Sequence, residues 1–235
     1  MGQIANEAFL NQFDQFVTTR LMTAAGIEPS ASGLALFDLY AQEIDVPGGN
    51  AAIAQLALHS QRSSRLTLVQ RAFDAAKPVN PIPAYWVPQG GYCDVPIQNP
   101  ESHFVFTPDF SGCAIYVDEI NSNTYRVYHV EGGKYHQYPN HRGLQPSQLV
   151  GLMRHGREYA QAATNGEVSV RAFAFLKFVA GSWHIFCQNQ NGVSLGLRGS
   201  KFVPIGEQTV KNPAYSAPIR RLSEGAIAVP ATMSV

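Results

Sequence analysis

The sequence is short of charge. Only 14% of its 235 residues are Asp, Glu, Lys or Arg, whereas globular proteins usually have about 25%. Acidic and basic residues number 17 each, so the net charge is zero. A chain without an excess of positive charge lacks the electrostatic basis for binding nucleic acid, and we expect no nucleic-acid partner.

Cysteine is also scarce. The odd number of three argues against a disulfide framework, and these residues lack the spacing of a zinc site: Cys93, Cys113 and Cys187. His129, His136 and His141 do not have a zinc-site spacing either. We therefore expect no metal and no cofactor, and a protein that works in a reducing compartment.

Long apolar runs are missing as well. No stretch approaches the length that a membrane-spanning helix needs, so no membrane span is expected. The N-terminus, MGQIANEAFLNQF, has neither the positive segment nor the apolar segment of a typical signal peptide.

Hydrophobic residues make up 45% of the chain, which is enough for a substantial core. In the first 76 residues their spacing predicts helices over 5–25, 32–44, 50–59 and 65–76. Six prolines then fall within 77–100, which predicts a proline-rich connection. The sequence thus predicts a mostly helical region over 1–76, this connection, and a catalytic core over 101–235.

The last part of the chain has a different pattern. Alternating and continuously apolar runs over 168–179, 183–188 and 193–197 predict an antiparallel meander, and 146–163 is predicted to be a helix. Separate runs of helices and strands are typical of an α+β fold. We expect a central antiparallel β-sandwich flanked by helices, within one compact domain overall.

The segment that carries chemistry is 104–134. Cys113 follows Ser111 and Gly112 and opens an apolar run, and His129 lies in a second run after a polar turn. Two strands joined by such a turn are expected to pair as a hairpin, which would bring Cys113 beside His129. An imidazole that takes the thiol proton turns cysteine into a nucleophile for amide carbon.

Three further groups complete the predicted site. The Thr107 hydroxyl would hold the imidazole in the useful tautomer, with Asp109 or Asp118 as alternatives for that role. Gly112 permits a tight bend, so that backbone N–H groups near it, together with Ser111, would hold an oxyanion.

Phe106-Thr107, Ser111-Gly112-Cys113 and Tyr128-His129 resemble the active-site segments of the cytotoxic necrotizing factor and Burkholderia lethal factor type of bacterial toxin. The resemblance covers about thirty residues. It implies a cofactor-free, cysteine-dependent deamidase that converts a glutamine of a host protein to glutamate. In that family the nucleophile matches Cys113 and the base matches His129, and in the Burkholderia lethal factor type a threonine matching Thr107 helps to orient the base.

The resemblance also implies a toxin or effector that is secreted without a typical signal peptide and acts in the host cytosol. The sequence leaves the oligomeric state open, and we expect a monomer. Two other functions stay open from the residues alone. The same pair of side chains would serve a thiol protease or another amidohydrolase. Alternatively, a buried, inert Cys113 would indicate a non-catalytic binding module.

Overall fold

The computed structural model describes residues 3–24, 31–46, 49–61, 80–132, 148–159, 171–191, 195–198, 201–204, 209–210 and 215–218. Within these ranges the chain forms sixteen strands and two short helices. The elements are β1 (Gln3–Ile4), α1 (Asn6–Asn11), α2 (Phe13–Thr19), β2 (Leu21–Thr23), β3 (Gly33–Val46), β4 (Gly49–Gln61), β5 (Ile82–Trp86), β6 (Tyr92–Pro96), β7 (Phe104–Phe106), β8 (Ala114–Asn121), β9 (Thr124–Val130), β10 (Leu149–Met153), β11 (Arg171–Val179), β12 (Ser182–Asn191), β13 (Leu195–Arg198), β14 (Lys201–Pro204), β15 (Thr209–Val210) and β16 (Tyr215–Pro218).

The strands form a large sheet and a small one. The large sheet has ten strands in the order β15-β12-β11-β7-β5-β3-β4-β2, with β1 paired to β3 and β16 paired to β12. The small sheet has the order β10-β8-β9-β6 and is antiparallel throughout. In the large sheet β2–β4 and β5–β7 pair in parallel, whereas β13 and β14 pair only with each other among the described residues.

Both faces of the large sheet are buried at its centre. Along β11, Ala172, Ala174 and Leu176 pack with side chains of the small sheet, while Phe173 and Phe175 pack with α1 and α2. This alternation follows from the period of two residues in a strand. One core therefore lies between the two sheets, and a second lies beneath the helices.

Aromatic rings fill the core beneath the helices. The Phe9 ring of α1 is fully buried and lies 5.2 to 6.3 Å, centroid to centroid, from Phe104, Phe106 and Phe175. Aromatic pairs at such distances stabilise a core beyond the area that they bury. The apolar stripe of the first helical segment therefore serves to attach it to the sheet.

The expected α+β fold with a helical N-terminal region is wrong, because the described chain is mostly β-structure. The predicted helices over 32–44 and 50–59 are the long strands β3 and β4, which pair from Ala35 with Gln61 to Val46 with Gly49. Leu34, Phe37 and Tyr40 have a helical spacing, but the side chains that pack in the core beneath the helices, those of Ala35, Phe37 and Leu39, follow the period of two of a strand.

Of two other helix predictions, the one over 5–25 is confirmed in part by α1 and α2, and the one over 146–163 is wrong in the described residues. Within 5–25 the helices end at Thr19 and the chain continues as β2, and part of 146–163 is strand β10. The segment 65–76 lies outside the described residues. Both hairpins, in contrast, are confirmed: β8 pairs with β9, and β11 pairs with β12.

Candidate active site

The candidate site lies where the two sheets meet. Thr107 directly follows β7 of the large sheet, Cys113 directly precedes β8 of the small sheet, and His129 lies in β9. Ile115 is the residue opposite His129 in the pairing of β8 with β9. Because side chains alternate along a strand, Cys113, two residues before Ile115, belongs to the same face as His129. All three side chains are buried.

The imidazole of His129 is held through one of its two nitrogens. Thr107 Oγ1 lies 2.6 Å from His129 Nδ1 and 2.8 Å from the carbonyl oxygen of Val87. A hydroxyl has a single proton to donate. When that proton goes to Val87, Nδ1 must donate to Thr107, and the Nε2 atom then has a free lone pair. This tautomer is the one in which Nε2 is able to accept a proton.

The other nitrogen is buried without a partner. His129 is 0% exposed, and Nε2 makes no hydrogen bond in the described part of the chain. The ring of Phe110 stacks on the imidazole, with centroids 4.4 Å apart and planes 9° apart. Burial lowers the pKa of His129 to about 4, and the Glu131 carboxylate only partly offsets this effect. The imidazole is therefore neutral near neutral pH.

The thiol of Cys113 is also in its neutral form. The residue is only 6% exposed, and this burial raises the pKa of the thiol, with a further rise from the charge of Glu131. Backbone hydrogen bonds from Gly132 and Ser111 act in the opposite direction. Since Nε2 of His129 has no hydrogen-bond partner, the thiol and the imidazole share one face of the hairpin but are not hydrogen-bonded to each other.

The backbone around Cys113 depends on two glycines. Gly112 has φ +118°, a conformation that side-chain-bearing residues rarely adopt. A Cβ atom on Gly132 would lie 3.0 Å from the Gly112 carbonyl oxygen. The bend predicted at Gly112 is present, and a second glycine, from the end of β9, lets the two segments approach each other closely.

Tyr159 also holds the Gly112–Cys113 backbone. Its hydroxyl accepts a hydrogen bond from the Gly112 N–H at 3.1 Å and donates one to the Cys113 carbonyl oxygen at 2.5 Å. The Gly112 N–H therefore points to the phenol. The Ser111 N–H, by contrast, bonds the thiol of Cys113, as does the N–H of Gly132, and both bonds lower the pKa of that thiol.

Asp109 does not orient His129. Its carboxylate accepts hydrogen bonds from the Arg171 guanidinium, the Thr23 hydroxyl and the Ala24 N–H. These partners come from β11 and from the end of β2, far away in the sequence. The structure thus assigns Asp109 to anchoring the segment that leads to Cys113. Asp118 is fully buried on β8, opposite Leu149 of β10.

Sequence reasoning missed Phe110, Gly132, Tyr159 and Arg171. Tyr159 lies within the segment 146–163 that is predicted to be a helix, and Gly132 is one of two consecutive glycines after the second strand of the hairpin. No local signal marks these residues, because each acts on a segment at least 19 residues away or, for Phe110, through ring stacking across the fold.

Cys93, Cys113 and Cys187 are free thiols. In the described residues no three His, Cys, Asp or Glu side chains form a group fit to hold a metal, and His136 and His141 lie outside those residues. No helix in the described ranges is long and apolar enough to cross a membrane.

Replacing Thr107 with valine, which has nearly the same shape, tests the orienting hydrogen bond. The change leaves His129 Nδ1 and the Val87 carbonyl buried without their shared partner, so we expect a loss of about 1–3 kcal/mol in the free energy of unfolding. Urea unfolding measures it, and Thr107→Ser, which keeps the hydroxyl, is the matched control. Equal unfolding of Thr107→Val and wild type would show that the bond does not form in solution.

Comparison with protein families identifies the family of this chain. No curated protein matches the sequence. A family model described as the Mcf1 activator-binding domain matches residues 52–201. The matched segment is more than half of the chain and extends from β4 into β14, so it contains Thr107, Cys113 and His129. This protein belongs to the family of the Mcf1 activator-binding domain.

Proposed function

We propose that this chain binds a partner protein and hydrolyses a carboxamide in it. The family description supports the first part, since it names an activator-binding domain in Mcf1. The second part rests on one observation: the Thr107 hydroxyl holds Nδ1 of a buried His129, which leaves Nε2 free on the sheet face that it shares with Cys113.

The favoured reaction is deamidation of a glutamine side chain. Nε2 of His129 takes the proton of the Cys113 thiol while the sulfur attacks the carboxamide carbon, which gives a tetrahedral oxyanion. The C–N bond then breaks, the proton on Nε2 passes to the leaving nitrogen, and ammonia departs from a thioester. Water, deprotonated by the same nitrogen, hydrolyses the thioester to glutamate and restores the thiol. The reaction consumes only water, so it needs no cofactor.

The resting site has to rearrange slightly for this chemistry. A neutral thiol next to a neutral imidazole is uncharged, and burial favours that state over the thiolate–imidazolium pair. Proton transfer requires hydrogen-bond contact between Sγ and Nε2. In this proposal, docking of the carboxamide between exposed Ser111 and exposed Gly132 brings the two atoms into contact.

The cellular setting follows from the same proposal. Three free cysteines suit a reducing compartment. As a secreted toxin or effector, the protein would meet its substrate, a glutamine of a host protein, in the host cytosol.

The test combines a small substrate with a mixture of host proteins. Purified full-length chain is incubated with a blocked glutamine dipeptide and, separately, with host-cell lysate; ammonia release and glutamine-to-glutamate conversion are measured by a coupled assay and by mass spectrometry. We expect conversion by the wild type and none by Cys113→Ser or His129→Asn. Cys93→Ser, which removes another buried thiol of the same core, should retain activity.

Two results would contradict the deamidase proposal. Conversion that persists in Cys113→Ser would assign the activity to something else. Peptide-bond cleavage that depends on Cys113, without glutamine conversion, would indicate a thiol protease.

A second candidate is a non-catalytic binding domain. Family membership favours it, because the description names binding and no reaction, and Cys113 is only 6% exposed. In that case the wild type and Cys113→Ser should bind a candidate partner with the same affinity, and neither should alter it covalently.

A further inference from the structure

The hydroxyl of Tyr159 lies against the backbone of the candidate nucleophile, Cys113. It accepts a hydrogen bond from the N–H of Gly112 and donates one to the carbonyl oxygen of Cys113. Tyr159 is fully buried, and its ring packs edge-on against Phe110, whose own ring stacks on His129. One side chain therefore contacts the backbone of Cys113 and the ring that covers the base.

With its backbone held by Tyr159, Cys113 presents its thiol to two backbone N–H groups, those of Ser111 and Gly132. Backbone hydrogen bonds from Ser111 and Gly132 lower the pKa of the Cys113 thiol, in opposition to its burial. Gly132 approaches so closely that a Cβ atom would lie 3.0 Å from the Gly112 carbonyl oxygen. The segment carrying Ser111 and the end of β9 must therefore keep their relative position for both donors to reach the sulfur.

We propose that Tyr159 is a positioning residue for Cys113, whose hydroxyl holds the Gly112–Cys113 backbone so that the thiol lies between the N–H groups of Ser111 and Gly132. This inference rests on the proposed amide hydrolysis. It assigns the stabilisation of negative charge, first on the sulfur and then on the adjoining oxyanion, to Ser111 and Gly132. Gly112 supplies conformation only, because its N–H is bonded to the phenol.

Tyr159→Phe removes the hydroxyl and keeps the ring. The experiment follows alkylation of Cys113 by iodoacetamide in the whole chain from pH 6 to well above the raised pKa of the thiol, with peptide mapping to separate it from Cys93 and Cys187. Glu131, in the loop after β9, acts on the thiol through its charge, and the Tyr159 phenol bonds the backbone carbonyl oxygen of the same cysteine. The pH midpoint reports the stability of the thiolate, whereas the plateau rate at high pH reports access to it.

We expect Tyr159→Phe to move the midpoint to higher pH and to lower the rate near pH 7 about fivefold, the change in an equilibrium constant that corresponds to about one hydrogen bond. Tyr85→Phe is the matched control. It removes the hydroxyl of another tyrosine of the same core, which bonds the backbone of Glu101 and Ser102, and it should leave the midpoint unchanged.

A merely structural role gives a different result. Loosening of the fold would raise the plateau rate of Tyr159→Phe without moving the midpoint, and that outcome would overturn the proposal, as would a profile identical to the wild type. Failure of the deamidase proposal is seen separately, as absence of glutamine conversion by the wild type. A shifted midpoint would still establish Tyr159 as the residue that positions the thiol.

Discussion

Replacing Asp109 with alanine is expected to lower the free energy of unfolding by about 3–5 kcal/mol, the range found when one partner of a buried ion pair is removed. Asp109 and Arg171 are 13% and 9% exposed in their side chains. The change leaves the guanidinium of Arg171 buried without its carboxylate, and it also removes the acceptor of the Thr23 hydroxyl and the Ala24 N–H.

The effect should extend to the candidate site. Asp109 lies between Thr107 and Phe110, and these two residues contact opposite parts of His129, its Nδ1 atom and its ring face. Phe110 also exchanges two backbone hydrogen bonds with Ala172, which adjoins Arg171. Loss of the Asp109 anchor should therefore make Cys113 more accessible to iodoacetamide in the folded chain.

An exposed ion pair provides the control. Arg126 and Asp94 form two hydrogen bonds, at 2.6 and 2.8 Å, with side chains 28% and 41% exposed. Because solvent screens such a pair, Asp94→Ala should cost less than about 1 kcal/mol. Urea unfolding followed by the fluorescence of buried Trp86 and Trp183 measures both variants. Equal losses in the two variants would contradict the role assigned to Asp109.

Acid should destabilise the protein through His129. Burial lowers the pKa of this imidazole from 6.5 to about 4 in the folded state. Between these values the unfolded chain binds a proton that the folded chain does not, so the free energy of unfolding falls as the pH falls from 6.5 to 4. The difference corresponds to about 3 kcal/mol, and it disappears above pH 6.5, where both states are neutral.

The comparison with His129→Asn isolates this contribution. Asparagine does not titrate, and groups such as His155, whose pKa burial also lowers, are common to both proteins and cancel. We expect the unfolding free energy of the wild type to fall more steeply than that of the variant from pH 6.5 to 4. Parallel curves would mean that His129 is accessible to water and titrates normally.

Sequence patterns over short stretches correctly predicted part of the backbone of the candidate site. The polar turn between two apolar runs predicted the hairpin of β8 and β9, and the position of Gly112 before Cys113 predicted a bend that requires glycine. These predictions succeeded because turn residues and their flanking runs interact within about twenty residues. The roles of Cys113, His129 and Thr107 in catalysis stay predictions.

Local patterns predicted the helical segment that forms α1 and α2 but failed over 32–59. The alanines and leucines of 32–59 have helical propensity, and only the pairing of β3 with β4 and β5 makes them strands. Hydrogen bonds to a neighbouring strand and burial of both faces outweigh propensities of less than about 1 kcal/mol per residue.

The sequence by itself determined the chemistry available to this protein: a thiol behind a glycine, an imidazole in the next strand, a threonine six residues before the thiol, and no excess charge. Only the tertiary structure decided how those groups are held. The Thr107 hydroxyl meets His129 because the large sheet packs on the small one. Tyr159, Gly132 and Arg171 reach their partners from distant strands and loops, since a packed core sets side-chain contacts by position in space, which a single sequence does not encode locally.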